Sequence, residues 1–202
     1  GLEDARRTAA ALAQALGGSR DEWMVMSTGV IGQHLPMDKI LRGIEQAKEA
    51  LSREAGAGHD AARAIMTTDT QPKEAAVRVA WESGQCVIAG MAKGSGMIHP
   101  NMATMLCTLA TDARLTPALA QQALHEAIEV SLNMVTVDGD TSTNDTALLL
   151  ANGMAAMPLI DQADSAGYRA FVAGLSAVAM TLAQAIARDG EGAKHFIEIM
   201  VR

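Results

Sequence analysis

Apolar positions recur at helical spacing in several stretches of the chain. An Ala-rich stretch ends at Gly17-Gly18, which is a helix stop signal. Pro36 fits the first turn of another helix, whose apolar stripe runs through Ile40, Leu41 and Ile44. The pattern predicts helices over residues 3–16, from Pro36 onward, and over 60–66, 117–132 and 168–187.

Other apolar runs are typical of strands. "AAVRVAW" and "QCVIAGMA" are separated by Glu82-Ser83-Gly84, which predicts a hairpin. Further strands are predicted at 23–26, in the run that follows Ala103, and in "FIEIMV" near the end, whereas "TALLLANG" is too short to assign to helix or strand. Because hairpins outnumber clear βαβ units, we expect a layered α/β fold with a mixed or antiparallel sheet, and a single domain over 1–202.

The composition restricts the kinds of partner. The chain has 202 residues, 49% of them hydrophobic, which suffices for a substantial core. Its formal net charge is -7 and only 2% of its residues are aromatic. A nucleic-acid or anionic membrane surface needs a basic footprint. We therefore expect small-molecule or protein partners, with neither nucleic acid nor membrane among them.

Cysteine usage and the chain start bear on location. Cys86 and Cys107 stand outside any CxxC motif, which suits a reducing compartment, and neither a signal peptide nor a run of eighteen apolar residues is present. The cytoplasm is the expected location. Because the chain opens directly in helical sequence without Met, we also expect a further segment upstream.

Several familiar motifs fail on inspection. "GSGMIH" has His99 where a dinucleotide fingerprint needs a third Gly, and Ser95 lacks the GxSxG context of a nucleophile elbow. "DGDTSTND" resembles a calcium loop at Asp138, but the bidentate Glu that such a loop needs is replaced by Leu149. The favoured alternative is a loop whose Asp and Ser/Thr side chains satisfy its own backbone, and no metal is expected.

The bond between Ala103 and Thr104 is a candidate for self-cleavage. A Thr hydroxyl held against the preceding carbonyl can attack it, and hydrolysis of the resulting ester leaves a new chain that begins at Thr104. That residue then carries a nucleophile and, in its α-amine, a base. The alternative is a β-branched residue that opens a buried strand.

Distant residues supply what such a nucleophile needs. Thr28 and Gly29, in "STGVIG", stand at a corner where a hydroxyl or a backbone N–H can donate to an oxyanion. "MTTDTQPK" contributes a hydroxyl cluster that includes Thr67, Lys93 contributes a positive charge, and Glu191 lies in a Gly-rich turn. The alternatives are an ordinary turn, a helix-end hydroxyl and two solvated charges.

Five blocks in this order carry a resemblance to a known family: "STGVIG", "IMTTDTQPKEAAV", "AKGSGMIHPNMATML", "TVDGDTSTNDTALLLANG" and "DGEGAKHFIE". They resemble the ornithine acetyltransferases, bifunctional glutamate N-acetyltransferases of arginine biosynthesis. The resemblance implies an α/β sandwich of the N-terminal-nucleophile type. It also implies cleavage between Ala103 and Thr104 into an α part, 1–103, and a β part, 104–202, usually in an α2β2 assembly.

The resemblance also assigns roles to residues. Thr104 would be the nucleophile, Thr28 and Gly29 the oxyanion hole, and Thr67, Lys93, Thr104 and Glu191 the substrate contacts. Acetyl would pass from N2-acetylornithine through Thr104 to glutamate without a cofactor, with acetyl-CoA as an alternative donor. Lys93 suits a substrate carboxylate and Glu191 an amino group.

Two other functions stay open at this stage. Members of that family are much longer, so the chain is alternatively an inactive fragment or binding module that keeps the fold without a complete site. A self-processing amidohydrolase would use the same nucleophile and pass the acyl group to water.

Overall fold

The computed structural model describes residues 1–99 and 105–200, and the chain divides into two units, residues 1–58 and 59–202. In the first unit, α1 covers Leu2–Leu16 and α2 covers Met37–Glu49, and the two helices pack against each other. A 3-10 turn at Arg20–Glu22 follows α1, and the indole nitrogen of Trp23 donates to the carbonyl of Gly17 at 3.0 Å. A third helix, α3, covers Ala57–Ala64 at the division between the units.

A four-stranded mixed sheet forms the centre of the second unit. Its strands are β1, Lys73–Trp81, β2, Gly84–Lys93, β3, Leu106–Thr111, and β4, Thr146–Ala151, in the order β1-β2-β3-β4. The first two neighbouring pairs are antiparallel, and β3 and β4 are parallel. The predicted α/β fold with a mixed sheet is therefore confirmed.

Two helices cover one face of this sheet. They are α4, Pro117–Glu129, and α5, Ala166–Arg188, and they begin at Thr116 and Ser165, whose hydroxyls accept from backbone N–H groups in the first turn. Gly174 of α5 lies so close to β1 that a Cβ added to it would be 2.2 Å from Val79 Cγ2. A glycine at this position therefore lets the helix lie directly on the sheet.

The core lies between α5 and the sheet. Phe171, Ile88 and Leu109 are fully buried there. Among the described helices α5 is long and apolar enough to cross a membrane, yet its apolar residues pack on β1, β2 and α4, which accounts for its composition. Cys86 and Cys107 are buried and free, and burial raises the pKa of Cys107 to about 12.

Most of the predicted elements are confirmed, with shifts of a few residues at their ends. All five helices are present, as are the hairpin of β1 and β2 and the strand after Ala103, and "TALLLA" is β4. The strand predicted at 23–26 is wrong, and so is the strand predicted at 196–201 over the five of its residues that the structure describes, since neither stretch is in a strand. Trp23 has the extended backbone of a strand but no pairing partner among the described residues. A short apolar run is compatible with an extended chain, whereas strand pairing depends on a neighbouring strand.

Candidate active site

The second unit contains three of the predicted substrate-contacting residues. Thr67 lies in the loop between α3 and β1, Lys93 is the last residue of β2, and Glu191 lies in the turn after α5. Thr28 and Gly29 belong to the first unit. The predicted cleavage site, Ala103 and Thr104, lies outside the described residues.

The carboxylate of Asp69 joins the loop of Thr67 to the end of β2. Its Oδ1 accepts from the backbone N–H of Gly94 at 2.8 Å, and its Oδ2 accepts from the N–H of Thr67 at 3.2 Å. Gly94 follows Lys93 directly. One buried side chain, 1% exposed, therefore fixes the backbone at Thr67 and next to Lys93.

Lys73 connects Asp69 to the turn after α5. Its Nζ lies 2.7 Å from Asp69 Oδ1 and 2.5 Å from Asp189 Oδ2, and its side chain is only 2% exposed. Asp189 also accepts from the backbone N–H of Thr70 at 2.9 Å and from the Thr70 hydroxyl. This ion cluster, defined as Asp69, Lys73 and Asp189, ties the end of α5 to the loop before β1.

The ion cluster keeps its carboxylates ionised. Burial alone would raise the pKa of Asp69, but hydrogen bonds from Gly94, Lys73 and Thr67 together outweigh it and lower that pKa. Burial would also raise the pKa of Asp189. The hydrogen bonds from Lys73 and Thr70 outweigh the effect of burial, so that pKa is lowered as well. Hydrogen bonds to the charged form explain both directions.

Ser95 brings the same three segments together through a second set of bonds. Its hydroxyl lies 2.6 Å from the hydroxyl of Thr68, and its carbonyl accepts from the backbone N–H of Glu191 at 2.5 Å. Ser95 is 2% exposed. Thr67, Lys93 and Glu191 are thus each within two residues of a group in one hydrogen-bonded network.

Gly96 leaves room for the carboxylate of Glu191. A Cβ added to Gly96 would lie 2.8 Å from Glu191 Oε2 and 3.7 Å from Asp138 Oδ2. Both acidic side chains therefore approach the segment that follows Lys93. The geometry places a basic group and acidic groups at opposite ends of a four-residue stretch.

Lys93 is a buried cation, with 4% of its surface exposed. Among residues 1–99 and 105–200, no carboxylate forms an ion pair with it. Burial lowers the pKa of Lys93, the negative charge of Asp69 raises it, and the positive charge of Lys73 lowers it, with a net lowering. Such an ammonium suits a ligand that brings its own carboxylate.

Asp138 holds the loop after Lys93 in an unusual conformation. Its carboxylate accepts from the backbone N–H groups of Met97 and Ile98, the latter at 2.8 Å, and from Asp140 at 3.2 Å. Met97 has φ 57, a left-handed backbone that costs a non-glycine residue about 1–2 kcal/mol. Asp138 therefore satisfies backbone groups, as the alternative to a calcium loop predicts.

Asp145 anchors the start of β3. Its Oδ1 accepts from the backbone N–H of Met105 at 2.7 Å, and its Oδ2 is shielded from solvent without a hydrogen-bond partner in the described part of the chain. Burial raises the pKa of Asp145, and the bond from Met105 opposes that change.

The predicted oxyanion pair lies in the loop between the 3-10 turn and α2. Gly29 is exposed, and the Thr28 hydroxyl oxygen is shielded from solvent without a hydrogen-bond partner among the described residues. A hydroxyl in that state has a donor to offer.

The sequence reasoning missed the charged residues that hold the site together. Asp69 and Lys73 stand in the block "MTTDTQPK", whose pattern indicates a hydroxyl cluster, and Asp189 begins "DGEGAKH". The context of Ser95 excludes a nucleophile elbow and does not predict its structural role. The signal available in the sequence is an Asp followed four positions later by a Lys, in a block without helical periodicity.

Comparisons with known proteins agree on one family. The model of the ArgJ family matches residues 1–202. The chain is 55% identical over its full length to the arginine biosynthesis bifunctional protein ArgJ of Symbiobacterium thermophilum, and covers 50% of it. It is 51% identical to the protein of that name from Methylococcus capsulatus, covering 48%. It is 48% identical to the mitochondrial ArgJ protein of Verticillium alfalfae, covering 45%. The chain spans about half the length of the curated relatives it matches.

Proposed function

The chain belongs to the ArgJ family, and we propose that its residues form the acetyl-transfer site of an ornithine acetyltransferase. The relatives are named bifunctional proteins of arginine biosynthesis. The observation that carries the proposal is the network that joins Thr67, Lys93 and Glu191 through Asp69 and Ser95.

The charges of this network fit an amino-acid substrate. N2-acetylornithine and glutamate both carry an α-carboxylate, which Lys93 pairs with in a site that excludes water. Glu191 pairs with an amino group, and Thr67 contacts the substrate from the neighbouring loop. Lys93 is buried and Glu191 exposed, so the carboxylate end of the substrate lies deeper than the amino end.

The proposed reaction begins with self-cleavage between Ala103 and Thr104. The Thr104 hydroxyl attacks the Ala103 carbonyl, the amide nitrogen leaves as the new α-amine, and water hydrolyses the ester. The products are an α part that ends at Ala103 and a β part that begins at Thr104, which we propose assemble as α2β2. In the mature site the α-amine takes the hydroxyl proton as Thr104 attacks the acetyl carbonyl.

Acetyl transfer then follows a ping-pong course. The oxyanion that forms on the acetyl carbonyl receives hydrogen bonds from Thr28 and from the backbone N–H of Gly29. The leaving amine takes the proton held by the Thr104 α-amine and departs as ornithine. The α-amine of glutamate attacks the acetyl ester, N-acetylglutamate leaves, and the hydroxyl regains its proton. This cycle consumes no cofactor, and acetyl-CoA is an alternative donor.

We propose a cytoplasmic location.

The test combines intact-mass analysis with a transfer assay on the protein at its full natural length. We expect two pieces, one beginning at Thr104, an acetylated Thr104 after exposure to N2-acetylornithine, and labelled N-acetylglutamate from labelled glutamate. Thr104→Ala is expected to remain uncut and inactive. Thr181→Ala is the matched control, because Thr181 is exposed on α5.

Each alternative gives a different result. Release of acetate at a rate that ignores added glutamate would identify a hydrolase. Binding of N2-acetylornithine without an acetylated Thr104 would identify a binding module. Transfer at the normal rate by the Thr104→Ala variant would overturn the proposed nucleophile.

A further inference from the structure

The ion cluster has a charge balance that involves Lys93. Asp69 and Asp189 carry two negative charges against the single positive charge of Lys73, so the cluster has an excess of one negative charge. Lys93 is buried and has no ion-pair partner among the described residues, and the negative charge of Asp69 favours its charged form. A buried charge that nothing compensates is lost by a change of protonation.

Asp69 is the member of the cluster that reaches the site. Its two oxygens accept from the backbone N–H groups of Gly94 and Thr67, whereas Asp189 bonds to Thr70 and Lys73. Removing the carboxylate of Asp69 would therefore release two substrate-contacting segments. Removing the carboxylate of Asp189 would leave the bonds from Gly94 and Thr67 to Asp69 in place.

We propose that Asp69 is a positioning residue of the site, which fixes the backbones at Thr67 and Lys93 and holds Lys93 as the cation that receives a substrate carboxylate. This inference rests on the proposed function for the identity of the substrate. The part that concerns Lys93 does not.

Two charged groups of the described residues act on Lys93, and two more lie near the segment that follows it. Asp69 and Lys73 face it from the loop before β1 and from β1 itself. Asp138 and Glu191 approach Gly96, three residues further along the chain. Of these groups, Asp69 is the carboxylate whose charge raises the pKa of Lys93, so its neutralisation lowers that pKa further.

The first experiment measures steady-state kinetics against pH for Asp69→Asn, Asp69→Glu and Asp161→Asn. Asp69→Asn is expected to raise KM for N2-acetylornithine about tenfold, with a smaller change in kcat, because it weakens substrate positioning. The alkaline limb of kcat/KM should move to lower pH, and Asp69→Glu should restore part of that movement. Asp161 is exposed, and its variant should behave as the parent. An unchanged alkaline limb in a folded Asp69→Asn protein would overturn the proposal.

The second experiment is independent of activity. The Lys93 side chain is titrated by carbon-13 NMR of its Cε in the parent, Asp69→Asn and Asp189→Asn. Asp69→Asn should titrate at clearly lower pH than the parent, and Asp189→Asn should shift less, since Asp69 is the carboxylate whose charge raises the pKa of Lys93. Equal midpoints in the parent and Asp69→Asn would overturn the proposal. The expected shift in a protein that transfers no acetyl would contradict the proposed function alone.

Discussion

A Cβ placed on Gly96 would lie 2.8 Å from Glu191 Oε2. Real Cβ atoms do not come that close to an oxygen, so the Glu191 carboxylate can keep this position only while residue 96 has no side chain. The contact is made by the far end of a flexible side chain, which can turn away. A side chain at position 96 would therefore move the Glu191 carboxylate in the candidate site and leave the backbone of the fold in place.

Gly96→Ala is predicted to impair substrate use without unfolding the protein. The added methyl group displaces the Glu191 carboxylate, and a misplaced contact is expected to raise KM roughly tenfold. The melting temperature should change little, because Gly96 does not have the left-handed backbone conformation that alanine would adopt only with strain. Steady-state kinetics and a melting curve measure the two effects. Gly43→Ala, in open space on α2, is the control and should leave KM unchanged.

Lys73→Met is predicted to lower the free energy of unfolding at pH 7 by roughly 3–5 kcal/mol. The substitution leaves Asp69 and Asp189 as two carboxylates without their cation, and Asp69 is 1% exposed. Removing one partner of a buried pair costs about this much. Urea denaturation measures the loss, with the exposed Lys194→Met as control.

The loss caused by Lys73→Met should depend on pH. Because the folded-state pKa values of Asp69 and Asp189 are lowered, their stabilisation is present above the unfolded value, about 4, and disappears as pH falls through the folded values. The difference from the parent should therefore shrink below about pH 4. A difference that is constant from pH 7 to pH 3 would contradict the role given to the ion cluster.

Local patterns predicted those elements that depend on local sequence. The β1–β2 hairpin follows from two strand-like apolar runs and a short turn, and α4 and α5 follow from apolar positions at helical spacing. The parallel pairing of Leu106 with Thr146 joins residues 40 positions apart, so "TALLLANG" alone was insufficient.

The candidate site was predictable only residue by residue. The motif blocks predicted Thr67, Lys93 and Glu191, because each of these residues lies inside a contiguous stretch that resembles the family. The bond between Thr70 and Asp189 spans 119 positions, and no periodicity encodes such a contact. The connecting residues therefore had to come from the three-dimensional arrangement.

Gly174→Ala is predicted to destabilise the protein by up to about 2 kcal/mol, although alanine favours helices. The new Cβ would lie 2.2 Å from Val79 Cγ2, and this overpacking exceeds the gain of about 1 kcal/mol in helix propensity. Urea denaturation measures the change. Adding Val79→Ala removes the clashing methyl group, so the double variant should lose less than the sum of the single losses. Strict additivity would contradict the proposed contact.

The stability of the Asp145→Asn variant, measured relative to the parent, is predicted to increase as pH rises. Burial raises the folded-state pKa of Asp145 above its unfolded value, so the folded protein favours the protonated carboxyl. Its contribution is fully present below the unfolded value, about 4, and is lost as pH rises through the folded value. Asparagine keeps an oxygen for the N–H of Met105 and carries no charge at any pH.

The measurement is the free energy of unfolding in urea at pH 3 and pH 7, for the parent and for Asp145→Asn. The contributions of all other groups are common to both proteins and cancel in the difference, which isolates Asp145. The variant should gain on the parent between the two pH values, and the exposed Asp161→Asn should show no such gain. A variant that instead falls further behind at pH 7 would show that the ionised Asp145 stabilises the fold, and would contradict the prediction.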